Sequence, residues 1–148
     1  MIFRELILHD FGVFSGRVPI TLAPRAKDKP VVLFGGLNGR GKTTILDAIQ
    51  LVLFGQRARI SNRGKLSWED YLRGAINRSA TNEASITLEF EVPDEFSTTV
   101  YRIARSWVAS DKKVKEEFSV ARDGRPDKLL SSQWDEHIET LLPARVAA

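Results

Sequence analysis

The chain has 148 residues and no cysteine, with 43% apolar and 28% charged side chains. This composition is typical of one folded domain and excludes disulfides and thiolate metal sites. No apolar run approaches the roughly 20 residues of a membrane-spanning helix. The first ten residues carry Arg4, Glu5 and Asp10, which is unlike a cleavable signal peptide. We therefore expect a cytoplasmic protein without membrane contact.

The net charge of +3 is unevenly distributed along the chain. Residues 1–84 contain 13 Lys and Arg against 7 Asp and Glu, whereas residues 85–148 contain 9 against 12. The basic excess includes a cluster at Arg57, Arg59, Arg63 and Lys65. Such a cluster is a candidate DNA contact. A solvated basic surface explains it equally well.

Two strands are predicted at the start of the chain. In a strand over residues 2–9, successive side chains point to opposite faces. This places Ile2, Leu6 and Leu8 on one face and Phe3 and Ile7 on the other. A turn over residues 10–16 leads to a second strand over residues 17–22. The charged segment 24–30 is predicted to be a surface loop.

The segment from Val31 to Thr44 is the most informative part of the chain. Residues 31–34 are continuously apolar, as in a buried strand. They are followed by G-x-x-x-x-G-K-T from Gly36 to Thr43, the pattern of a phosphate-binding P-loop. The glycines, which are Gly36, Gly39 and Gly41, let backbone N–H groups point into one concavity. The following helix directs its positive N-terminal end there, Lys42 adds a charge that reaches the β- and γ-phosphates, and the Thr43 hydroxyl suits Mg²⁺.

Two helices are predicted after this motif. The first runs from Lys42 to about Phe54 with an apolar stripe, and Gly55 ends it. In the second, Ser67 is the N-cap of an acidic first turn, and the apolar residues that follow lie at helical spacing. This helical insert covers about residues 66–78.

Three strands then follow in succession, at about residues 86–92, 99–108 and 116–122, the last ending in the Asp123-Gly124 turn. A final helix is predicted over about residues 131–142, with Trp134 and Ile138 on its apolar face. A doubly wound fold would alternate strands and helices throughout. We therefore expect an α/β P-loop NTPase, with a P-loop unit over about residues 1–60, an antiparallel β-subdomain over about 85–124 and a mixed sheet.

This arrangement resembles the N-terminal lobe of ABC-type ATPase heads, in particular the SMC-like branch that works on DNA. The residues that carry the resemblance are the turn Phe11–Gly16, the motif Gly36-Leu37-Asn38-Gly39-Arg40-Gly41-Lys42-Thr43-Thr44, and Asp47-Ala48-Ile49. With Leu53–Arg59 they are similar above all to the DndD family, the ATPases of bacterial DNA phosphorothioation. That similarity extends over about the first 60 residues and continues beyond them only in outline.

The resemblance implies a role for each matching residue, with ATP and Mg²⁺ as ligands. Lys42 would bind the β- and γ-phosphates, Thr43 the magnesium and Thr44 the α-phosphate, while Asn38 would lie near the γ-phosphate. The turn that contains Phe11 and Phe14 would lie near the base or ribose. Many SMC-like heads carry a basic residue after the first aromatic of this turn, where this chain has Gly12. Arg57 or Arg59 is a candidate substitute.

The resemblance also identifies what the chain lacks. It contains no run of four apolar residues followed by Asp-Glu, so no Walker B strand is found, and no complete catalytic set is predicted. His9 and His137 are interpreted as structural. We expect half of a head, whose partners are its C-terminal lobe and coiled coil, DNA, and other proteins of the DNA sulfur modification system.

Three other functions remain open at this point. One is the ATPase head of another SMC-like protein of DNA repair or phage defence. The second is a P-loop kinase, which the run of three strands disfavours. The third is a DNA-binding module whose P-loop has no catalytic role.

Overall fold

A computed structural model of the chain describes residues 1–22, 39–60, 63–80 and 82–141, without the side chain of Arg40. The strand predicted at residues 31–34, the loop at 24–30, and the P-loop residues Gly36 and Asn38 lie outside this part of the chain.

Among the described residues, a six-stranded antiparallel sheet forms one layer, with strand order β2-β1-β3-β4-β5-β6. The strands are β1 (Ile2–His9), β2 (Arg17–Thr21), β3 (Glu83–Pro93), β4 (Thr98–Ala109), β5 (Val114–Arg122) and β6 (Arg125–Pro126). The opening strands and the expected β-subdomain therefore share one sheet. A mixed sheet would need a parallel neighbour, and the candidate strand at residues 31–34 is not among the described residues.

Helices cover one face of this sheet. They are α1 (Gly39–Phe54), α2 (Trp68–Ala75), α3 (Lys128–Ser132) and α4 (Trp134–Leu141), and a 3₁₀ turn, Gly55–Arg57, follows α1. The core lies between the two layers, where α1 contributes Ile45, Ala48 and Val52, and the sheet contributes alternate residues such as Leu88 and Ile103. No helix in the described ranges is long and apolar enough to cross a membrane.

Two predicted helix ends are confirmed, whereas the first helix begins at Gly39, three residues before the predicted start at Lys42. The first helix ends at Phe54, and Gly55 follows with a φ of 58°, a left-handed conformation that glycine adopts without strain. The hydroxyl of Ser67 accepts a hydrogen bond from the N–H of Asp70, which confirms the predicted N-cap. The final helix is different from the prediction because it is two helices.

The division of that final helix has a local cause. Asp127 caps α3 by accepting a hydrogen bond from the N–H of Leu130, so helix starts at Lys128. Gln133 then leaves the helical conformation, with φ −110° and ψ 15°, and α4 begins at Trp134. The predicted single helix over 131–142 was therefore wrong in its start, although Trp134 and Ile138 are buried as expected.

One predicted strand face is also corrected. The pairing of β1 with β3 shifts between Phe3 and Glu5, so Phe3 is opposite Phe90 and Leu6 is opposite Leu88. Phe3 therefore lies on the core face with Leu6, and its ring meets Phe90 edge-on at 6.3 Å. The alternation of the sequence cannot reveal a β-bulge, because the extra residue changes the face of everything before it.

Candidate functional site

The N-terminal end of α1 carries the part of the glycine-rich motif that the structure describes. Gly39 and Arg40 begin the helix, and no acidic side chain lies in its first turn. Lys42 is exposed, while Thr43 and Thr44 are half-buried. The N–H groups that point out of a helix start, together with the helix dipole, make this end positive, which suits an anion.

The turn over residues 10–16 packs against the second turn of this helix, at Thr44. Gly12 has a φ of 58°, and a β-carbon built on it would lie 2.7 Å from Cγ2 of Thr44. No side chain fits at this position without moving Thr44. This explains why the turn carries no basic residue here, and a cationic contact from position 12 is excluded for this packing.

Backbone contacts join the same turn to α2. The N–H of Gly12 donates to the carbonyl of Ala75 at 2.7 Å, and Nδ2 of Asn77 donates to the carbonyl of Gly12 at 2.8 Å. Phe11 also forms an isolated β-bridge with Ile76. The turn is therefore held between the start of α1 and the end of α2.

A cavity of about 230 Å³ lies where these three elements meet. On the α1 side it is bordered by Thr44 and Asp47, and α2 forms the opposite side. Burial raises the pKa of Tyr71, and the charge of Asp47 acts in the same direction. The phenol therefore keeps its proton at neutral pH. The lining residues are Phe11, Gly12, Thr44, Asp47, Leu66, Tyr71, Gly74 and Ala75.

The two aromatic residues of the turn have different environments. Phe11 is only 2% exposed, and its ring meets Trp107 edge-on at 5.8 Å. Its ring is part of the core. To stack on a nucleotide base, as the sequence suggested, the ring would have to leave its contact with Trp107. Phe14 is half-buried and packs against the edge of the core.

The basic residues after α1 are not one free patch. Arg57 binds Glu139 at 2.8 Å and donates to the carbonyl of Asp135, which connects the end of α1 to α4. Arg63 donates to the carbonyl of Gln56 and lies 5.1 Å from the ring centre of Trp68. Arg59 and Lys65 are exposed.

Comparison with known proteins identifies the family. A model described as an AAA domain (AAA_23) matches residues 5–144. The chain belongs to this AAA domain family.

Individual relatives support an N-terminal lobe of an SMC-like ATPase. The SbcC component of the SbcCD nuclease of Vibrio cholerae is 39% identical over 60% of this chain and 8% of its own length. The chromosome partition protein Smc of Bacillus subtilis is 28% identical over 92% of this chain and 13% of its own length. The Smc protein of Halothermothrix orenii is 30% identical over 64% of this chain and 8% of its own. The chain thus spans a small part of each relative.

The described part of this AAA domain contains no group of three or more histidine and carboxylate side chains that could hold a metal. His137 is hydrogen-bonded through Nε2 to the hydroxyl of Tyr101 at 3.0 Å. His9 lies at the end of β1, with its Nε2 3.6 Å from Asp10. Both contacts agree with the structural interpretation of the two histidines.

Sequence reasoning missed one side of the cavity. Tyr71 and Ala75 were predicted only as apolar residues at helical spacing in the second helix. No sequence signal marks them, because they reach the cavity only when α2 packs beside the turn.

Proposed function

We propose that the chain is the ATP·Mg²⁺-binding lobe of an SMC-like ATPase head. The observation that carries this proposal is the position of the motif: α1 begins inside it, and Thr44 from its second turn borders the cavity between the 10–16 turn and α2. A triphosphate at the positive helix end would place its sugar or base toward this cavity.

Each motif residue has a role in the proposed complex. Lys42 binds the β- and γ-phosphates, the Thr43 hydroxyl is a ligand of Mg²⁺, and Thr44 binds the α-phosphate. The backbone N–H groups of Gly39, Arg40 and Gly41 complete the phosphate cradle with Gly36 and Asn38. An exposed lysine beside two hydroxyls at a helix N-terminus fits this chemistry.

We further propose that the isolated chain binds nucleotide without turning it over at a useful rate. Phosphoryl transfer to water needs a group that orients the water, in addition to charge stabilisation. The chain has no Walker B carboxylate in its sequence. Hydrolysis would be completed by the C-terminal lobe of the parent protein.

For the parent protein we propose DNA sulfur modification, in which ATP binding and hydrolysis would be coupled to work on DNA with partner proteins. The support is the combination of the Phe11–Gly16 turn, the Asn38 form of the motif and Leu53–Arg59. A second candidate is the head of another SMC-like DNA-processing protein, which the similarity to SbcC and Smc favours. Deleting the gene for the parent and measuring phosphorothioate dinucleotides in digested DNA by mass spectrometry distinguishes the two, because only the first candidate loses them.

Nucleotide binding is tested by titrating the folded chain with an ATP analogue and Mg²⁺ in a calorimeter. Lys42→Ala is expected to weaken binding at least tenfold, which is about 1.4 kcal/mol. Lys65→Ala, which removes an exposed lysine outside the motif, is the matched control and should bind as the wild type does. Absence of binding by the wild type would contradict the proposal and favour a non-catalytic module.

A further inference from the structure

A buried arginine lies beneath the far end of α1. Arg105 extends from the core face of β4 and is 8% exposed. Its Nη1 donates to Oε2 of Glu116 at 2.9 Å, and its guanidinium lies 4.2 Å from the ring centre of Phe118. Burial lowers the pKa of Arg105, while Glu116 opposes that shift. The ion pair keeps the cation charged inside the core.

The same guanidinium contacts the C-terminal end of α1. Its Nη2 donates to the carbonyl of Val52 at 3.4 Å, and a β-carbon built on Gly55 would lie 3.1 Å from Cζ. A cation at this end of a helix is favoured by the dipole and satisfies a terminal carbonyl. Arg105 thus holds α1 at the end opposite the phosphate motif.

Glu116 extends the contact to the second helix. Its other carboxylate oxygen, Oε1, accepts a 3.0 Å hydrogen bond from the indole N–H of Trp68, the first residue of α2. Trp68 stacks on Tyr71 with ring centres 5.7 Å apart and an interplanar angle of 18°. Tyr71 borders the cavity. A continuous set of contacts therefore joins the end of α1 to the wall of the cavity formed by α2.

We propose that Arg105 and Glu116 are positioning residues that hold α1 and α2 together and so set the separation of the two cavity walls. Neither residue lines the cavity. The identity of the ligand in this inference rests on the proposed nucleotide function. The coupling of the two helices does not depend on that ligand. Without the ion pair, α2 should unfold locally without the end of α1 unfolding with it.

The experiment is hydrogen exchange by mass spectrometry on the 148-residue chain, followed over residues 46–55 and 68–75. Glu116→Gln should accelerate exchange in both segments at least tenfold, because it removes the hydrogen-bonded counter-charge of Arg105 and leaves only the weaker influence of Asp135. Trp68→Phe keeps the ring stack but removes the N–H donor, and it should accelerate exchange in residues 68–75 alone. The double variant should match Glu116→Gln in residues 68–75, because the single amide oxygen of glutamine faces the charged Arg105 and its NH₂ group cannot accept from the indole N–H of Trp68.

One control and one further perturbing variant accompany this experiment. Glu117→Gln changes the neighbouring glutamate on the opposite face of β5 and should alter neither segment. Arg105→Lys keeps the charge but lacks the fork that reaches both Glu116 and Val52, so it should behave like Glu116→Gln. Unchanged exchange in residues 68–75 for both Glu116→Gln and Trp68→Phe would overturn the proposal.

Nucleotide affinity provides the second readout. The Kd for the ATP analogue should be measured at a temperature well below the thermal unfolding midpoint of the variant. Under these conditions, Glu116→Gln should raise the Kd at least fivefold. If Glu116→Gln lowers the thermal unfolding midpoint but keeps the Kd within twofold of the wild-type value, the positioning role is overturned. If the wild type binds no nucleotide, the proposed function fails, while the exchange data still decide whether the two helices are coupled.

Discussion

Gly12 and Thr44 touch so closely that a β-carbon on the glycine would lie 2.7 Å from Cγ2 of the threonine. This contact packs the 10–16 turn onto the second turn of α1, at one of the residues proposed to bind phosphate. The hydrogen bond from the N–H of Gly12 to Ala75 extends the same packing to α2. One residue without a side chain therefore determines how closely three elements approach at the candidate site.

The first prediction concerns Gly12→Ala. Gly12 and Gly16 both have left-handed backbones, with φ of 58° and 71°, but nothing lies within 4 Å of a β-carbon at Gly16. Gly16→Ala should therefore cost only backbone strain, roughly 1–2 kcal/mol. Gly12→Ala should lower the free energy of unfolding by about 1–3 kcal/mol more, because of overpacking against Thr44. Urea unfolding of both variants measures the difference, and equal losses would contradict the observed contact.

The second prediction concerns Trp134, which is 2% exposed and donates its indole N–H to the carbonyl of Leu53 at 2.9 Å. Trp134→Phe leaves this buried carbonyl, at the end of α1, without its side-chain donor. The free energy of unfolding should fall by about 1–3 kcal/mol, as measured by urea unfolding.

A matched control for Trp134 lies on the neighbouring helix. Leu129 in α3 is 67% exposed, so Leu129→Ala should change the free energy of unfolding by less than about 0.5 kcal/mol. A Trp134→Phe variant as stable as this control would show that the carbonyl of Leu53 needs no partner there.

The third prediction concerns pH. Burial lowers the pKa of His137 below its usual 6.5, and the charge of Arg122 adds to the shift, while Asp127 opposes it. The folded chain therefore binds fewer protons than the unfolded chain in this range. The resulting stability is fully present above about pH 6.5 and is lost as the pH falls through the lowered folded-state pKa.

His137→Gln should remove this part of the acid sensitivity. Free energies of unfolding measured between about pH 7.5 and pH 5 should fall less steeply for the variant than for the wild type. His9→Gln, which changes the half-exposed histidine at the end of β1, serves as the comparison. If the free energy of unfolding depends on pH equally steeply in the wild type and in His137→Gln, then His137 is not a source of the acid sensitivity.

Local patterns predicted much of the fold. The alternation at Ile86–Val92 predicted a strand that the structure extends to Glu83–Pro93, and the Ser67 cap and Gly55 marked real helix ends. These signals work because each depends on a few consecutive residues. The bulge after Phe3 was missed because pairing with β3 decides it, and the early helix start at Lys128 was missed because the capping role of Asp127 was not recognised.

The sequence by itself determined the identity of the proposed phosphate-binding residues from Gly36 to Thr44, because they are consecutive and the required chemistry resides in a single turn. Tertiary structure alone decided the second wall of the cavity, the core position of Phe11 and the use of Arg57 to bind α4. The physical reason is distance along the chain. Arg105 and Val52 are 53 residues apart, and only packing of the sheet against α1 joins them.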